Sequence, residues 1–350
     1  MLRNLSLLTV LASSTLAYAA DPNGLPAGAA SSLMASSIFG GGSKEQIKVA
    51  NGGVFKDGSS FAIGSFRVTF MTSDEVVSVA KGGWTSGNAS SAMKGTLIGL
   101  DHATMQKLAD EVYADFLKQA AAKGLTIVES VKLAATSPSY KALATTPNYE
   151  EGRLGTIVIP TGQQSVPLPE DRTEKANKGS KGVFAQIKQQ QTMLYATSDA
   201  NKALPKAAKE AGMTILGVTM IVNFGDFKGA THNWGGSHVK VLPGATVDGA
   251  DKMELLRATS ILGWGPNTMT CGNCMAQVAL EGTIHSDENI GLTEASKARK
   301  SSLSDFSGNV LSNSSSKNFS IEIDPAAYEK NVLVVTSRTT ALMLAELGTK

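Results

Sequence analysis

Several segments of this chain alternate hydrophobic and polar residues, as half-buried β-strands do. In Phe61–Phe70 the even positions from Phe66 onward are apolar and the odd ones polar. Met213–Phe224 is a longer run that is rich in β-branched residues, with one wholly apolar face. Glu254–Trp264 and Met275–Ile284 are two further apolar segments of strand length. The pattern predicts a β meander in the second half of the chain.

Two other segments have the spacing of three and four that is typical of an amphipathic helix. The first begins after Asp101, a good N-cap, and ends before Gly124, which suits the left-handed C′ position. The second begins at Asp324-Pro325 and ends before Gly348. A short apolar strand, Leu125–Val128, follows the first helix. Strand, helix and strand in this order indicate a βαβ-like unit with one helix on a sheet.

These elements predict an α/β fold class, with helices packed on a mixed, largely antiparallel sheet. We expect an α/β core domain over residues 53–285, with a polar insertion at about 161–182. Residues 286–323 are rich in Ser, Lys and Asn and indicate a polar loop before the amphipathic helix of residues 324–350. Residues 81–99 are rich in Gly and Ser and predict an exposed loop.

The N-terminus has the features of an export signal. Arg3 supplies the positive charge and Leu5–Leu16 the short apolar stretch. In Ala17-Tyr18-Ala19, the two alanines are the small residues that a signal peptidase requires at positions −3 and −1. We therefore expect a signal peptide over residues 1–19, cleaved after Ala19, and then a flexible Ala/Ser/Gly-rich leader over residues 20–52. No cysteine follows the cleavage site, so we expect no lipid anchor. The predicted location is periplasmic or extracellular.

Composition and charge exclude several classes of protein. Hydrophobic residues make up 42% of the 350 residues, which is too many for a disordered chain. The formal net charge is +2, without the basic excess of a nucleic-acid-binding protein, so we expect no nucleic-acid partner. Beyond the N-terminus there is no apolar run of about 20 residues, so the sequence predicts no transmembrane helix.

Cys271 and Cys274, in Cys-Gly-Asn-Cys, are the only two cysteines in the chain. In an oxidising compartment two cysteines this close are expected to form a disulfide bond, here at the end of a hairpin. A redox-active dithiol is the alternative, but it normally has its first cysteine at a helix N-terminus. The residues after Cys274 alternate as in a strand. Metal binding by the pair is a third possibility.

The turn around His232, Trp234 and His238 is a possible binding loop. Together with His285 and Asp226, these histidines could in principle bind zinc or copper. Their spacing matches no known metal motif, and we expect no bound metal. The acid pairs Asp74-Glu75 and Glu150-Glu151 indicate solvated surface, which leaves no candidate catalytic residue.

Two blocks resemble the family of CsgG-like curli-assembly proteins and the N-terminal domain of TolB. These are Leu108–Glu129 (LADEVYADFLKQAAAKGLTIVE) and Lys209–Val218 (KEAGMTILGV). The chain departs from the family in having no lipid-anchoring cysteine, and in having Ser130 after Glu129 where the family usually has Arg. The resemblance implies an α/β sandwich in a non-enzymatic envelope protein that works by assembly.

Signal, composition and resemblance together predict an exported, non-catalytic binding or assembly protein of the bacterial envelope. Its partner would be another envelope or secreted protein, or further copies of the chain in a homo-oligomer. No cofactor is expected. The alternative is a secreted metal-dependent or redox enzyme that uses the loop histidines or the Cys271/Cys274 pair.

Overall fold

The structure is a computed structural model, and its described part begins at Ile47 and ends at Gly348. It comprises residues 47–56, 60–80, 89–145, 149–151, 155–166, 168, 198–231, 237–249, 259–268, 275–286, 288–293, 308–310 and 315–348. All of them belong to one compact unit, residues 43–350. The predicted signal peptide, most of the predicted leader and most of the predicted insertion at 161–182 lie outside the described residues.

Fifteen strands and six helices are assigned within this part of the chain. The strands are β1 Ile47–Ala50, β2 Ser60–Met71, β3 Ser73–Ala80, β4 Ala89–Ile98, β5 Thr126–Val128, β6 Tyr149–Glu151, β7 Gly155–Val158, β8 Thr214–Thr231, β9 Ser237–Val247, β10 Ser260–Trp264, β11 Ala276–Leu280, β12 Ile284–His285, β13 Gly291–Thr293, β14 Gly308–Val310 and β15 Ser315–Ile323. The helices are α1 Gly53–Lys56, α2 His102–Ala122, α3 Ser130–Thr136, α4 Pro138–Lys141, α5 Ser198–Ala211 and α6 Pro325–Leu344.

The larger of two sheets has 11 strands, and its main order is β1-β11-β10-β8-β2-β7-β6. Strand β2 is parallel to β8 and to β5, and the other pairs in this sheet are antiparallel. Strand β8 is long enough to pair with β2 and β10 through its first half and with β9 through its second. The sheet is therefore mixed, and the predicted α/β class is confirmed.

The predicted βαβ unit is present. Strands β2 and β5 are parallel, with Ser60 opposite Thr126, and α2 connects to β5 through Gly124. The carboxylate of Asp101 accepts a hydrogen bond from the Thr104 N–H at 2.8 Å, and Gly124 has φ of +76°. An N-cap and a left-handed C′ glycine therefore set the two ends of α2, as the sequence predicted.

Both faces of the large sheet are covered. On one face, Phe66, Val68 and Phe70 of β2 pack in a single cluster with residues of α2 and α6. On the other, Trp264 of β10 packs with residues of α3, α4 and α5. Alternate positions along the central strands supply the two clusters. In β2 the polar Ser65 and Arg67 are buried as well, so the expectation of a half-buried strand was wrong and both of its faces are covered.

A second, four-stranded sheet, in the order β13-β15-β4-β3, shows where the predicted loops were wrong. Strand β4 lies within the predicted loop at 81–99. Strands β13 and β15 of this sheet, and β14 of the large sheet, lie within the predicted polar loop at 286–323. In β4, Met93 and Leu97 are buried while Lys94 and Thr96 are exposed. Polar residues at these exposed positions hide the two-residue period from a search for apolar runs.

Two element boundaries also differ from the expected ones. Strand β1 lies inside the predicted leader, where it pairs with β11. Strand β8 continues through Gly225–Thr231, a segment whose glycines predict turns, because β9 pairs with it to the end. None of the helices in the described part of the chain is long and apolar enough to cross a membrane.

Candidate functional site

Strand β6 forms one end of the large sheet and is the best candidate for an interaction site. Its three residues, Tyr149, Glu150 and Glu151, are all exposed, and half of the Tyr149 side chain is accessible to solvent (50%). Across the described residues, β6 pairs with β7 on its inner side and with no strand on its outer side. Unpaired N–H and C=O groups along such an edge can receive another strand.

Strand β7 approaches β2 closely at Gly155, where its pairing with β2 begins. Gly155 is the first residue of β7 and is buried opposite Met71. A Cβ atom built at Gly155 would overlap the carbonyl oxygen of Phe70. Only glycine therefore fits at this point, and the β6–β7 hairpin is held tightly on the edge of β2.

Contacts to His102 of α2 and Thr156 of β7 hold two side chains of β6, those of Tyr149 and Glu151. The Tyr149 ring stacks on the imidazole of His102, with ring centroids 4.5 Å apart and planes 27° apart. His102 Nε2 lies 2.8 Å from Glu151 Oε1, and the hydroxyl of Thr156 donates to Glu151 Oε2 at 3.1 Å. An aromatic ring is thus held in place and exposed beside a carboxylate. This arrangement suits binding, because less side-chain freedom remains to be lost.

The opposite end of the same sheet is strand β1. It pairs with β11, with Lys48 opposite Ala279, and no further strand covers it among the described residues. Val49 is 41% exposed, and Lys48 is also exposed. The side-chain amide of Asn51 donates to the Met275 carbonyl at 3.1 Å, which anchors the end of the strand. One edge of the sheet is therefore acidic and the other basic, each with an exposed apolar side chain.

A partly buried acidic cluster lies where β3, β8 and β9 meet. The side-chain N–H groups of Asn223 donate to Asp74 at 2.6 Å and to Asp248 at 2.8 Å. The hydroxyl of Thr246 also donates to Asp248, at 3.0 Å. Asn223 lies at a β-bulge in the β8–β9 pairing, and the bulge aims its amide between the two carboxylates.

Burial dominates the electrostatics of this acidic cluster. It raises the pKa of the Asp248 carboxyl to about 7, and the nearby charges of Asp74 and Asp226 act in the same direction. Hydrogen bonds from Asn223 and Thr246 oppose the rise without cancelling it. Burial also raises the pKa of Asp74. Of the acids that the sequence predicted on solvated surface, Glu75, Glu150 and Glu151 are exposed, whereas Asp74 is partly buried and accepts a hydrogen bond from Asn223.

A buried arginine holds the segment that follows β7. The guanidinium of Arg67 donates through Nε to the hydroxyls of Ser65 and Ser165, each at 3.1 Å. Through Nη2 it donates to the Val166 carbonyl at 2.7 Å. The two serine oxygens are themselves 2.7 Å apart. This network fastens residues 165–166 to β2 and is a structural element rather than an exposed site.

The predicted site residues are only partly placed. Cys271, Cys274, His232 and Trp234 lie outside the described residues. The backbone of His238 lies in β9, opposite Ala230 and Asn309.

His285 lies in β12, opposite Thr246. His238 and Thr246 are eight residues apart on one strand, which is roughly 26 Å at about 3.3 Å per residue. One metal ion cannot bind both histidines at bond lengths near ~2 Å. In the described part of the chain no group of three or more His, Cys, Asp or Glu residues could hold a metal ion.

The sequence missed Tyr149 and His102 as site residues. A possible signal was Tyr-Glu-Glu just before the apolar run that ends at Pro160, which is the pattern of a polar edge strand in a hairpin. Comparison with known proteins does not identify the site. The chain matches no protein-family model, no curated protein and no solved structure. The resemblance to CsgG-like proteins therefore depends on the two sequence blocks alone.

Proposed function

We propose that this protein is an exported, non-catalytic binding or assembly protein of the bacterial envelope. The observation that carries the proposal is the exposed edge strand β6, with Tyr149 held against His102 and Glu151. An open sheet edge beside a fixed aromatic ring favours recognition of an extended protein segment, since main-chain hydrogen bonds give affinity and side chains give specificity.

Other features support the same role. The export signal over residues 1–19 would bring the chain to the periplasm or the cell exterior, where the partner would be another envelope or secreted protein. The resemblance of Leu108–Glu129 and Lys209–Val218 to CsgG-like proteins points to assembly, and an α/β sandwich suits that role. In the oxidising compartment, Cys271 and Cys274 would form a disulfide bond that stabilises the chain locally.

The separation of His238 and His285 argues against a metal-dependent enzyme built on both of these histidines. A redox function of Cys271 and Cys274 is the second candidate, and it is tested separately. Cys271→Ser would abolish a thiol–disulfide activity, whereas loss of a structural disulfide bond would lower only the melting temperature.

Site-specific photo-crosslinking in intact cells of the native host tests the proposed function. A photoreactive phenylalanine analogue replaces Tyr149, and Val131, an exposed apolar residue of α3, is the matched control position (49% exposed). We expect the mature chain in the envelope or secreted fraction, with protein crosslinks from position 149 that are absent from position 131. A chain that remains in the cytoplasm, or equal crosslinking from both positions, would contradict the proposal.

A further inference from the structure

Among the described residues no strand lies on the outer side of β1 or of β6, and we infer a partner for these two edges of the large sheet, which deepens the proposed function. We propose that β1 of one copy of this chain pairs with β6 of the next, so that the large sheet continues from copy to copy. Val49 would lie opposite Tyr149, Lys48 opposite Glu150, and Ile47 opposite Glu151. The inference rests on the proposed assembly function but has its own test.

The strand directions give an antiparallel pair when β1 of one copy follows β6 of another in the strand order. Strand β6 runs in the same direction as β2, because two antiparallel pairs, β2–β7 and β7–β6, separate them. Strand β1 runs opposite to β2, because three antiparallel pairs separate it from β8, which is parallel to β2. If β1 of one copy follows β6 of another in the strand order, the two strands are therefore antiparallel, with the second copy rotated by the accumulated twist of the sheet. Antiparallel pairing is the slightly more stable kind per residue.

The registers give the offset between the two copies. Lys48 pairs with Ala279, Ala279 with Ser260, Ser260 with Thr219, and Thr219 with Arg67. Lys48 is therefore level with Arg67 of β2.

On the other edge, Glu150 pairs with Ile157, and Ile157 pairs with Thr69 of β2. Thr69 is two positions beyond Arg67. A shift of two residues between neighbouring copies, about 7 Å along the strand, brings Lys48 opposite Glu150.

An even shift preserves the two faces of the sheet, since side chains alternate with a period of two. Ile47 packs against the same cluster as α2 and α6, and Tyr149 contacts α2 through His102. After the shift, Ile47 and Val49 stay on the same face as Tyr149 and Glu151. Lys48 and Glu150 meet on the opposite face.

Two of the three facing pairs are chemically complementary, and in the third Ile47 lies opposite Glu151, which is already bound by His102 and Thr156. The most exposed apolar side chain of β1, Val49, lies opposite the exposed Tyr149. The lysine of β1 lies opposite a glutamate of β6, and opposite charges that face each other across strands contribute about 0.2–1 kcal/mol. Pairing of β1 with β1, or of β6 with β6, would instead bring like charges together. The complementarity thus favours a head-to-tail interface, which repeats in one direction and gives rings or filaments.

Mixed disulfide formation between purified copies tests the geometry directly. Residues opposite each other in an antiparallel pair have Cα atoms about 4.5–5.5 Å apart, which is within the range of a disulfide bond. One tagged copy carries Lys48→Cys and a differently tagged copy carries Glu150→Cys, both with Cys271→Ser and Cys274→Ser. Crosslinking under mild oxidation is measured for the mixture and for each variant alone. Lys141→Cys, at an exposed lysine of α4, replaces Lys48→Cys in the matched control.

We expect the Lys48→Cys and Glu150→Cys mixture to form dimers several-fold faster than either variant alone and than the control mixture. Equal rates in all four reactions would overturn the inference, and so would faster dimer formation by Lys48→Cys alone, since that would indicate a two-fold interface.

Charge reversal provides a second test that keeps both native cysteines. Sedimentation velocity at increasing protein concentration should show weaker self-association for Lys48→Glu and for Glu150→Lys. The variant with both changes should recover the wild-type association, and Lys141→Glu should behave like wild type. Failure of the double variant to recover would overturn the inference.

The two proposals can fail independently. Purified copies that do not associate, together with a cellular crosslink from position 149 to another envelope protein, would leave the proposed function standing and remove the inference. If the copies associate through β1 and β6 but the chain stays in the cytoplasm, the inference would stand and the proposed function would be removed.

Discussion

Replacement of Asp248 by asparagine should change how the stability of the fold depends on pH. In the folded state burial raises the pKa of this carboxyl to about 7, whereas its ordinary value is 3.8. Between these two pH values the folded chain keeps a proton on Asp248 that the unfolded chain releases. The contribution of Asp248 to the free energy of unfolding is therefore fully present below pH 3.8 and is lost as pH rises towards 7.

The size of the effect follows from the shift. Each pKa unit corresponds to 1.36 kcal/mol, so the rise at Asp248 corresponds to about 4 kcal/mol of unfolding free energy lost between acidic and neutral pH. Asn223 and Thr246 each donate to one oxygen of the carboxyl. An amide can keep both contacts, because its oxygen accepts from Asn223 and its NH2 group donates to the Thr246 hydroxyl, which can also accept. Asp248→Asn should match the wild type near pH 4 and be more stable near pH 8, by up to about 4 kcal/mol.

Urea unfolding at intervals from pH 4 to pH 8.5 measures this difference, with the fluorescence of the buried Trp264 as the signal (1% exposed). Asp101→Asn is the control, because hydrogen bonds from Thr104 lower the pKa of Asp101, so its contribution changes only below pH 3.8. A constant difference between Asp248→Asn and wild type across the range would refute the reasoning. A difference that shrinks as pH rises would do so too.

Three further substitutions test the packing and the buried hydrogen bonds. Gly95→Ala would place a Cβ atom 2.7 Å from Phe319 and 2.9 Å from Phe224 and Phe227, so urea unfolding should show a loss of about 1–3 kcal/mol, whereas Gly53→Ala, with nothing within 4 Å, should not. Tyr140→Phe removes the donor to the Gly64 carbonyl (2.7 Å) and should cost about 1–3 kcal/mol. Tyr328→Phe should be neutral or stabilising, because within the described residues that buried hydroxyl has no partner; an equal loss in both tyrosine variants would contradict this reasoning.

The elements that the sequence predicted well are those whose signals are local. Asp101 and Asp324 act as N-caps, and Gly124 and Gly348 have positive φ, so the limits of α2 and α6 were predicted closely. The apolar face of β2 was equally clear, because it packs directly on α2. In these cases each residue's neighbours in the chain determine its conformation.

The elements that were missed depend on partners far away in the chain. Strand β4 is stabilised by parallel pairing with β15, more than 200 residues later in the sequence. Position 95 of this strand is a glycine because the rings of Phe224, Phe227 and Phe319 occupy the space that a side chain would need. A glycine with this environment is indistinguishable from a loop glycine until the partner strands are known.

The candidate site could not be predicted for the same reason, since a strand is recognised as an edge strand only when the positions of the other strands in the sheet are known. No sequence pattern within Tyr149–Glu151 or Ile47–Ala50 indicates that these segments are the two edge strands of one sheet. Their relation follows only from counting strand directions and registers across β11, β10, β8, β2 and β7. That count shows that the exposed side chains of the two edges alternate in the same way. The valine and lysine of one edge match the tyrosine and glutamate of the other after a shift of two residues. Local composition explains each edge separately as protected by charge, whereas the topology relates the two edges as complementary surfaces.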